Sequence, residues 1–413
     1  MNTLVLISDA FPYDSMTEIS FIVPEIESLS KMFDRVIIAP RLKRGENIDI
    51  DLSTLPDNVE ISDSLLIYPS IREKICAVPY VAKAIIYDLK HTSGSLRDIL
   101  AYSSYVEIYR RLLKKFIREN NLDLSNTLFY TFWFDFSTAS LSLIKDAKIV
   151  TRTHGHDLYE DRYFISKWWR LRSLSAVRGV FTVAEASRKY LTTLYPNYAS
   201  KIFLSRLGTV NNNQPDTAKN LPDAENDGLR LSLVGISRLS PEKGVIRQFE
   251  FITQLARKHP EMQISYVHIG DGPLRSEVRQ IITKAPDNLN IDLKGALHNS
   301  KVHEILSSYH FDASLLLSDS EGGCPIALCE TLSYGIPAVA TAVGGIPEII
   351  SGGGGILLET DADYESFEKA ILSITDNPVS FRSEALRNWN DNFRSDRLRT
   401  EFAARLTELL SEA

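Results

Sequence analysis

Two carboxylates and two cations in the second half of the chain have the types and spacing to do chemistry. Glu321 and Glu330 flank Gly322, Gly323, Cys324 and Pro325 in the run SDSEGGCPIALCETLSYGIPAVATAVGG, Ser318 to Gly345. Proline suits the first turn of a helix, where its missing N–H costs nothing. Gly335 stands where glycine usually ends one, so a helix is predicted over Pro325–Tyr334. Its free N–H groups and its dipole favour an anion. Glu330 lies about 8 Å further along, at ~1.5 Å per residue, and its carboxylate can accept a hydrogen bond from a sugar hydroxyl. A ligand with both features is a nucleotide or a nucleotide sugar. Arg238 and Lys243, in SRLSPEKG (Ser237 to Gly244), are a guanidinium and an ammonium able to clamp a diphosphate. Gly270, Asp271 and Gly272, in HIGDGPLRSEV, make a tight turn whose glycines let backbone approach a phosphate or a base. Taken singly, each run also fits a plain strand–turn–helix with solvated charges.

Strand ends must hold these residues. In the second half, apolar runs occur at Leu231–Ile236, Ile264–Ile269, Leu289–Leu293, Ala313–Leu317, Ala338–Thr341 and Ile356–Leu358. The first half has its own series: Leu4–Ile7, Val36–Ala39, Leu128–Phe134, Ile149–Thr153, Val180–Val183 and Ile202–Leu204. Amphipathic stretches such as Ile22–Met32 and Ser104–Glu119 lie between some of them. Such alternation predicts βα units around a mostly parallel sheet. The polar, proline-containing stretch 211–228 shows no apolar period and reads as a linker. The expected organisation is an N-terminal domain over 1–210, the linker, a second domain with nucleotide-type loops over 229–385, and a C-terminal helix over 386–413 packing back toward the N-terminal domain. Ligands of open parallel sheets sit at the carboxyl ends of the strands, where the motifs fall. Ser240 with Pro241 is expected to start the helix after the first strand of the second domain.

Composition fits an ordinary globular chain, with 413 residues, 24% charged and 44% hydrophobic, and a net charge of −7. Three cysteines, Cys76, Cys324 and Cys329, are too few for a disulfide framework, and none has zinc-like spacing. The opening MNTLVLISDAFPYD reads as a strand and not as a signal peptide, and no apolar run reaches the ~20 residues of a membrane span. A cytoplasmic location is expected. Positive charge gathers in residues 101–210, with 17 Lys and Arg against 9 Asp and Glu. This is too modest for a nucleic-acid protein. It suits an anionic membrane face or a solvated surface equally. Arg110, Arg111, Lys114, Lys115 and Arg118, with Trp168 and Trp169 beside Arg170 and Arg172, are the residues of that possible peripheral contact on the inner face of the cytoplasmic membrane.

Together, RLSPEKG, IGDGPL and the two-glutamate helix followed by YGIPAVATAVGGIPE resemble the retaining nucleotide-sugar glycosyltransferases of family 4. FPYDSMTEISFIVPEI, RTHGHDLYEDR and RLG (Arg206 to Gly208) resemble a bacterial branch that builds extracellular or capsular polysaccharides, colanic-acid-type enzymes among them. The resemblance implies a GT-B fold, two Rossmann-like doubly wound α/β domains facing across a cleft. It implies that Arg238 and Lys243 hold the donor diphosphate, that Glu330 hydrogen-bonds the ribose, and that Glu321 lies near the donor sugar. Gly322, Gly323, Cys324, Pro325, Gly270, Asp271 and Gly272 complete the implied donor site. His154 matches a histidine that reaches the transferred sugar, with His156 competing for the role. Eight residues separate Glu321 from Glu330 where the family has seven, so counting back from Glu330 by the family's spacing lands on Gly322. The loop Phe11–Met16 lacks the glycines common in the family.

The implied reaction is metal-independent, retaining transfer of a hexose from a UDP- or GDP-sugar to a hydroxyl of a growing, lipid-linked surface glycan. No cofactor is expected. Two Asp-x-Asp pairs, Asp49 with Asp51 and Asp361 with Asp363, lie away from the phosphate motifs, so no metal is expected; the second pair reads as a helix cap. A nucleotide-sugar epimerase, which needs no acceptor, and a non-catalytic nucleotide-sugar-binding partner are the alternatives.

Overall fold

Runs of β-branched and aliphatic residues alternate along this chain with amphipathic stretches, and each becomes a buried strand or a helix that covers it. The computed structural model describes residues 1–13, 18–43, 45, 48, 50–67, 82–92, 94–161, 163–211, 230–321 and 323–412. Gly322, Cys76, Asp49, Arg162, residues 14–16 of the first loop and the expected linker from 212 on lie outside them.

The chain divides into two compact units, one of residues 1–206 with 397–413, the other of residues 207–396. Residues 207–210 thus group with the second unit, and the later boundary lies beyond the expected 385.

In the first unit the described elements run β1 (Thr3–Ser8), α1 (Ile19–Met32), β2 (Arg35–Pro40), β3 (Val59–Ile61), α2 (Ala82–His91), α3 (Leu96–Glu119), β4 (Thr127–Thr131), α4 (Phe136–Leu141), β5 (Lys148–Thr153), α5 (Lys167–Ala176), β6 (Gly179–Thr182), α6 (Glu185–Leu194) and β7 (Ile202–Leu204). All strands pair in parallel in the order β3-β2-β1-β4-β5-β6-β7. The second unit has β8 (Arg230–Ile236), α7 (Val245–Lys258), β9 (Gln263–Ile269), α8 (Arg275–Ile282), β10 (Leu289–Gly295), α9 (Asn299–Ser308), β11 (Ala313–Leu316), α10 (Ile326–Ser333), β12 (Ala338–Thr341), α11 (Ile346–Ile350), β13 (Gly355–Leu358), α12 (Tyr364–Asp376) and α13 (Pro378–Asn392). Its parallel sheet has the order β10-β9-β8-β11-β12-β13. Helix α14 (Ser395–Ser411) closes the chain. Each sheet reverses direction of build beside its first strand, between β1 and β4 and between β8 and β11. Such switch points open a crevice at the strands' carboxyl ends.

Burial is what fixes these sheets. Leu4, Val5, Leu6, Val36, Ile38 and Phe129 are fully inaccessible in the first unit, as are Leu233, Val234, Phe249 and Val339 in the second. Each fully buried side chain of this size contributes about 1.5–3 kcal/mol. The first unit also buries the Arg152–Glu25 ion pair, with the guanidinium 4.1 Å from the centre of the Phe402 ring of α14. Phe402, Leu406 and Leu409 belong to the same core as Leu4, Tyr130 and Phe181.

The stretch 386–413, expected as one helix, is two. Between them Thr209 N–H donates to Phe393 C=O at 3.0 Å and Ser395 N–H donates to Thr209 C=O at 3.2 Å. This strand-like pairing pulls Phe393 out of helical geometry (φ −130°). Strand β4 ends at Thr131 and not at Phe134, because residues 132–135 form the loop that carries the site described next. The three-residue edge strand β3 lies between Pro56 and Asp63 and is too short for a periodic signal. Asp363 caps α12 by accepting from Ser366 N–H at 3.0 Å, as its position suggested.

Candidate active site

In the second unit the three motifs converge because each follows a neighbouring strand. SRLSPEKG leaves β8, HIGDG leaves β9 and SDSEGG leaves β11. Ser240 and Pro241 do not start the long helix. A single 3₁₀ turn, Pro241–Lys243, comes first, and α7 begins at Val245 after Gly244 in the left-handed region (φ +58°). Ser240 Oγ donates to Glu242 at 2.6 Å instead of capping. A Cβ on Gly244 would sit 1.9 Å from Leu317 C=O, so only glycine lets this turn lie on the end of β11. Backbone hydrogen bonds from Asp319 and Ser320 to Glu242 C=O fasten the two loops together.

That fastening brings Lys243 and Glu321 into an ion pair across the switch point, Nζ to Oε1 at 2.6 Å. Ser318 Oγ donates to the same oxygen at 2.7 Å, and Glu321 is only 7% exposed. Arg238 stands exposed at the end of β8; its C=O accepts from Ser240 N–H at 2.9 Å, and its guanidinium makes no hydrogen bond or ion pair among the described residues. The turn thus presents one cation already paired to a carboxylate and one held out to solvent.

The glycines of HIGDG serve the protein's own backbone. A Cβ on Gly270 (φ +137°) would lie 2.0 Å from Ser237 C=O, and one on Gly272 would lie 2.4 Å from Leu239 C=O. The close approach expected for a phosphate is therefore made by the 237–239 loop, pinned by Leu239 N–H to Asp271 C=O at 3.1 Å. The Asp271 side chain pairs with Arg275 at 2.7 Å.

Helix α10 runs as predicted, with Pro325 at its N-cap and Gly335 (φ +68°) just beyond its end. Gly323 C=O accepts from Gly345 N–H at 3.2 Å, so the turn before the helix is tied to the loop after β12. Glu330 is buried, and Asn299 Nδ2 donates to its Oε1 at 2.6 Å. His303 Nε2 lies 3.8 Å from that oxygen, and its Nδ1 meets Tyr334 OH at 2.9 Å. Burial pushes the Glu330 carboxyl up to about 7, with the Asn299 hydrogen bond opposing only part of the rise. Burial, with Glu330 nearby, pushes Tyr334 up to about 12. Asn299 and His303 were not found from sequence. They stand four apart on one face of α9, and nothing in NSKVHEIL marks that face until α10 packs beside it.

In the first unit His154 follows β5. Its N–H donates to Asp157 Oδ1 at 2.7 Å, and Phe134 N–H donates to Asp157 Oδ2 at 2.9 Å. Burial raises the Asp157 carboxyl, but His154 and the Phe134 N–H outweigh it and bring it down to about 2. The imidazole lies among Trp133 and Phe132, ring centres 4.4 and 4.6 Å away. Its Nδ1 stands 3.9 Å from Asp157 Oδ2, and neither ring nitrogen has a hydrogen-bond partner among the described residues. Burial lowers its pKa. His156 is exposed, its ring centre 4.5 Å from that of Trp133. Trp133 is fixed by Nε1–H donation to Glu18 at 2.7 Å. Glu18 also accepts from the N–H groups of Asp9, Ala10 and Phe11 at 2.7–2.9 Å. Glu18, Trp133 and Asp157 thus organise the loops after β1, β4 and β5, a role their spacing in sequence did not disclose. Trp169 and Arg170, expected as an interface stripe, are core. Trp169 Nε1–H donates to buried Ser103, and Arg170 stacks on Phe134 at 3.8 Å.

With this geometry in place, the family of glycosyl transferases group 1 matches residues 220–396. That match covers most of the second unit. Among curated relatives, one component of the human phosphatidylinositol N-acetylglucosaminyltransferase is 26% identical over 324 residues, 72% of this chain and 64% of that one. A putative colanic acid biosynthesis glycosyltransferase, WcaL of Salmonella typhimurium, is 28% identical over 154 residues, 36% of this chain and 37% of that one. The chain spans less than two thirds of the length of these relatives. Among solved structures, Anabaena HepE in complex with UDP and glucose superposes with a TM-score of 0.62 at 16% identity, covering 98% of this chain and 99% of that one. Two parallel-sheet α/β units of this kind are the GT-B architecture.

Proposed function

We propose that the protein transfers a hexose from a nucleoside diphosphate sugar to a hydroxyl of a glycan, with retention and without a metal ion. The observation that carries the reading is the pair of cations at the β8/β11 switch point, Lys243 paired to Glu321 and Arg238 exposed. Breaking the anomeric C–O bond puts positive charge on the sugar and negative charge on the leaving diphosphate. Fixed cations aimed at that charge stabilise the transition state, the work a metal ion does elsewhere. Glu330, buried and bonded to Asn299, accepts from the ribose hydroxyls. Glu321, with Gly322, Gly323, Cys324 and Pro325 of the motif, is assigned to the donor sugar. On the first unit His154 is assigned to the sugar chemistry; its ring nitrogens have no hydrogen-bond partner among the described residues, and burial lowers its pKa. The UDP and glucose in Anabaena HepE make UDP-sugars the first donors to try.

The names of the relatives, one acting on phosphatidylinositol and one in colanic acid synthesis, support a lipid-linked or surface-glycan acceptor. A groove of about 470 Å³ on the first unit supports contact with an anionic membrane. It is lined by Arg110, Arg111, Lys114 and Arg118 with Ile117, Leu124 and Ile144. No helix among the described residues is long and apolar enough to cross a membrane.

The test is calorimetric titration of the protein, in chelator, with UDP- and GDP-sugars, beside Glu330→Ala. Binding of one donor, indifferent to chelator and weakened in the variant, supports the reading. Binding of no nucleotide sugar ends it, and equal binding by the variant moves the site elsewhere. Sedimentation with anionic vesicles tests the membrane contact; protein left in the supernatant at low salt refutes it.

A further inference from the structure

The turn in front of α10 holds two thiols whose sulfur atoms are 3.8 Å apart, Cys324 and Cys329. They occupy the positions just before the N-cap and four residues into the helix, where a pair of apolar side chains often fixes the angle at which the chain enters. Here the pair can also react. Cys324 is partly exposed, whereas Cys329 is fully buried against Leu328, Leu332, Ala340 and Ile346. One accessible sulfur beside one sheltered sulfur is the arrangement of an attacked and a resolving cysteine. Glu330 follows Cys329 directly, and Gly323, tied to Gly345 N–H, precedes Cys324.

We propose that Cys324 and Cys329 form a reversible disulfide that locks this turn and slows use of the donor. The effect on the donor rests on the site reading above; the disulfide itself does not. With a small-molecule disulfide such as oxidised glutathione as oxidant, the Cys324 thiolate attacks one glutathione sulfur and releases the other as a thiolate. Cys329 then gives up its proton, attacks Cys324 Sγ and expels the second glutathione. The dithiol loses two electrons and two hydrogens, and the oxidant becomes two thiols. Bonding brings the sulfurs from 3.8 Å to about 2.05 Å. Cys329 is held by helix and core, so the movement falls on Cys324 and the turn before Pro325. Misplacing a binding group by about 1 Å can cost up to ~100-fold in rate. A fall of roughly tenfold or more in transfer rate is expected.

The experiment exposes the full chain, in a Cys76→Ser background, to oxidised glutathione, followed by intact mass, peptide mapping and transfer assay. The expected product has lost two hydrogens, maps as a 324–329 cross-link, transfers at least tenfold more slowly, and recovers in dithiothreitol. Cys329→Ala should instead hold a glutathionyl group on Cys324. Two persisting thiols, or a stable glutathione adduct on Cys324 with Cys329 present, would overturn the proposal. A mapped cross-link with unchanged transfer overturns its effect on the donor. Failure of the donor-site reading looks different, since the reduced protein would then bind no nucleotide sugar.

Discussion

Replacing Glu330 by glutamine should separate two properties that the wild-type carboxyl couples, the stability of the second unit and its affinity for a donor. The carboxyl is 7% exposed, and burial lifts it from an ordinary 4.5 to about 7. The groups facing it are Asn299 and His303 of α9 and Tyr334 at the end of α10. A raised carboxyl pKa means that between these two values the folded protein holds more protons than the unfolded chain. Wild-type stability therefore falls as pH rises through this window and levels off above about 7. At 1.36 kcal/mol per unit the loss is about 3 kcal/mol. The Glu330→Gln amide does not titrate and keeps an oxygen for Asn299. Urea unfolding of both proteins at pH 5 and pH 8 should show the variant gaining about 2.5 kcal/mol on the wild type between the two, since part of the loss is already complete at pH 5. Titrating groups remote from Glu330 cancel in that comparison, whereas His303, 3.8 Å away, titrates together with the wild-type carboxyl. The same variant should bind the donor roughly tenfold more weakly at pH 8, because a hydroxyl bonds an ionised acceptor more strongly than an amide. Wild-type affinity should decline by about tenfold from pH 8 to pH 6 as the carboxylate is protonated, and the variant's should stay flat. Parallel pH profiles of stability would refute the burial argument. A variant with undiminished affinity would refute the ribose contact.

Lys243→Ala should lower transfer roughly tenfold or more and also destabilise, because it strands the buried Glu321 carboxylate. Adding Glu321→Gln should restore stability in urea melts without restoring transfer; recovery of both would make the pair merely structural. Gly270→Ala forces a side chain into a left-handed backbone 2.0 Å from Ser237 C=O. It should cost about 1–3 kcal/mol and weaken donor binding by displacing Arg238, and an unperturbed melt would contradict the packing. His154 should titrate below its usual 6.5, since burial disfavours the imidazolium. An NMR midpoint at or above that value would show the ring to be solvated or paired.

The parallel sheets were legible because their strands are buried on both faces and read as continuous apolar runs. Ala313–Leu316 and Ala338–Thr341 were read to within a residue. Helix α10 was legible from Pro325 and Gly335, whose conformational preferences are local. The Lys243–Glu321 contact was not, since it depends on two loops brought together by strand order. The packing partner of Gly270 and Gly272 was hidden for a related reason. A glycine announces that something approaches closely, and only the fold shows that the visitor is residues 237–239. Asn299, His303, Glu18 and Asp157 act through partners far along the chain or through loop geometry. The stripe at Trp169 and Arg170 looked like an interface because aromatic and cationic residues serve a core equally well once each is partnered.

The place of Phe402, Leu406 and Leu409 in the first unit's core has a consequence for synthesis. Protein chains emerge from the ribosome N-terminus first, and domains ordinarily fold in that order. Here residues 1–206 must wait for 397–413, which are translated only after the whole second unit. Until then the face that receives Phe402, including Tyr130 and Phe181, has no cover, and the nascent first unit is open to chaperones. The second unit, whose ends meet where Thr209 pairs with Phe393 and Ser395, is complete before its predecessor.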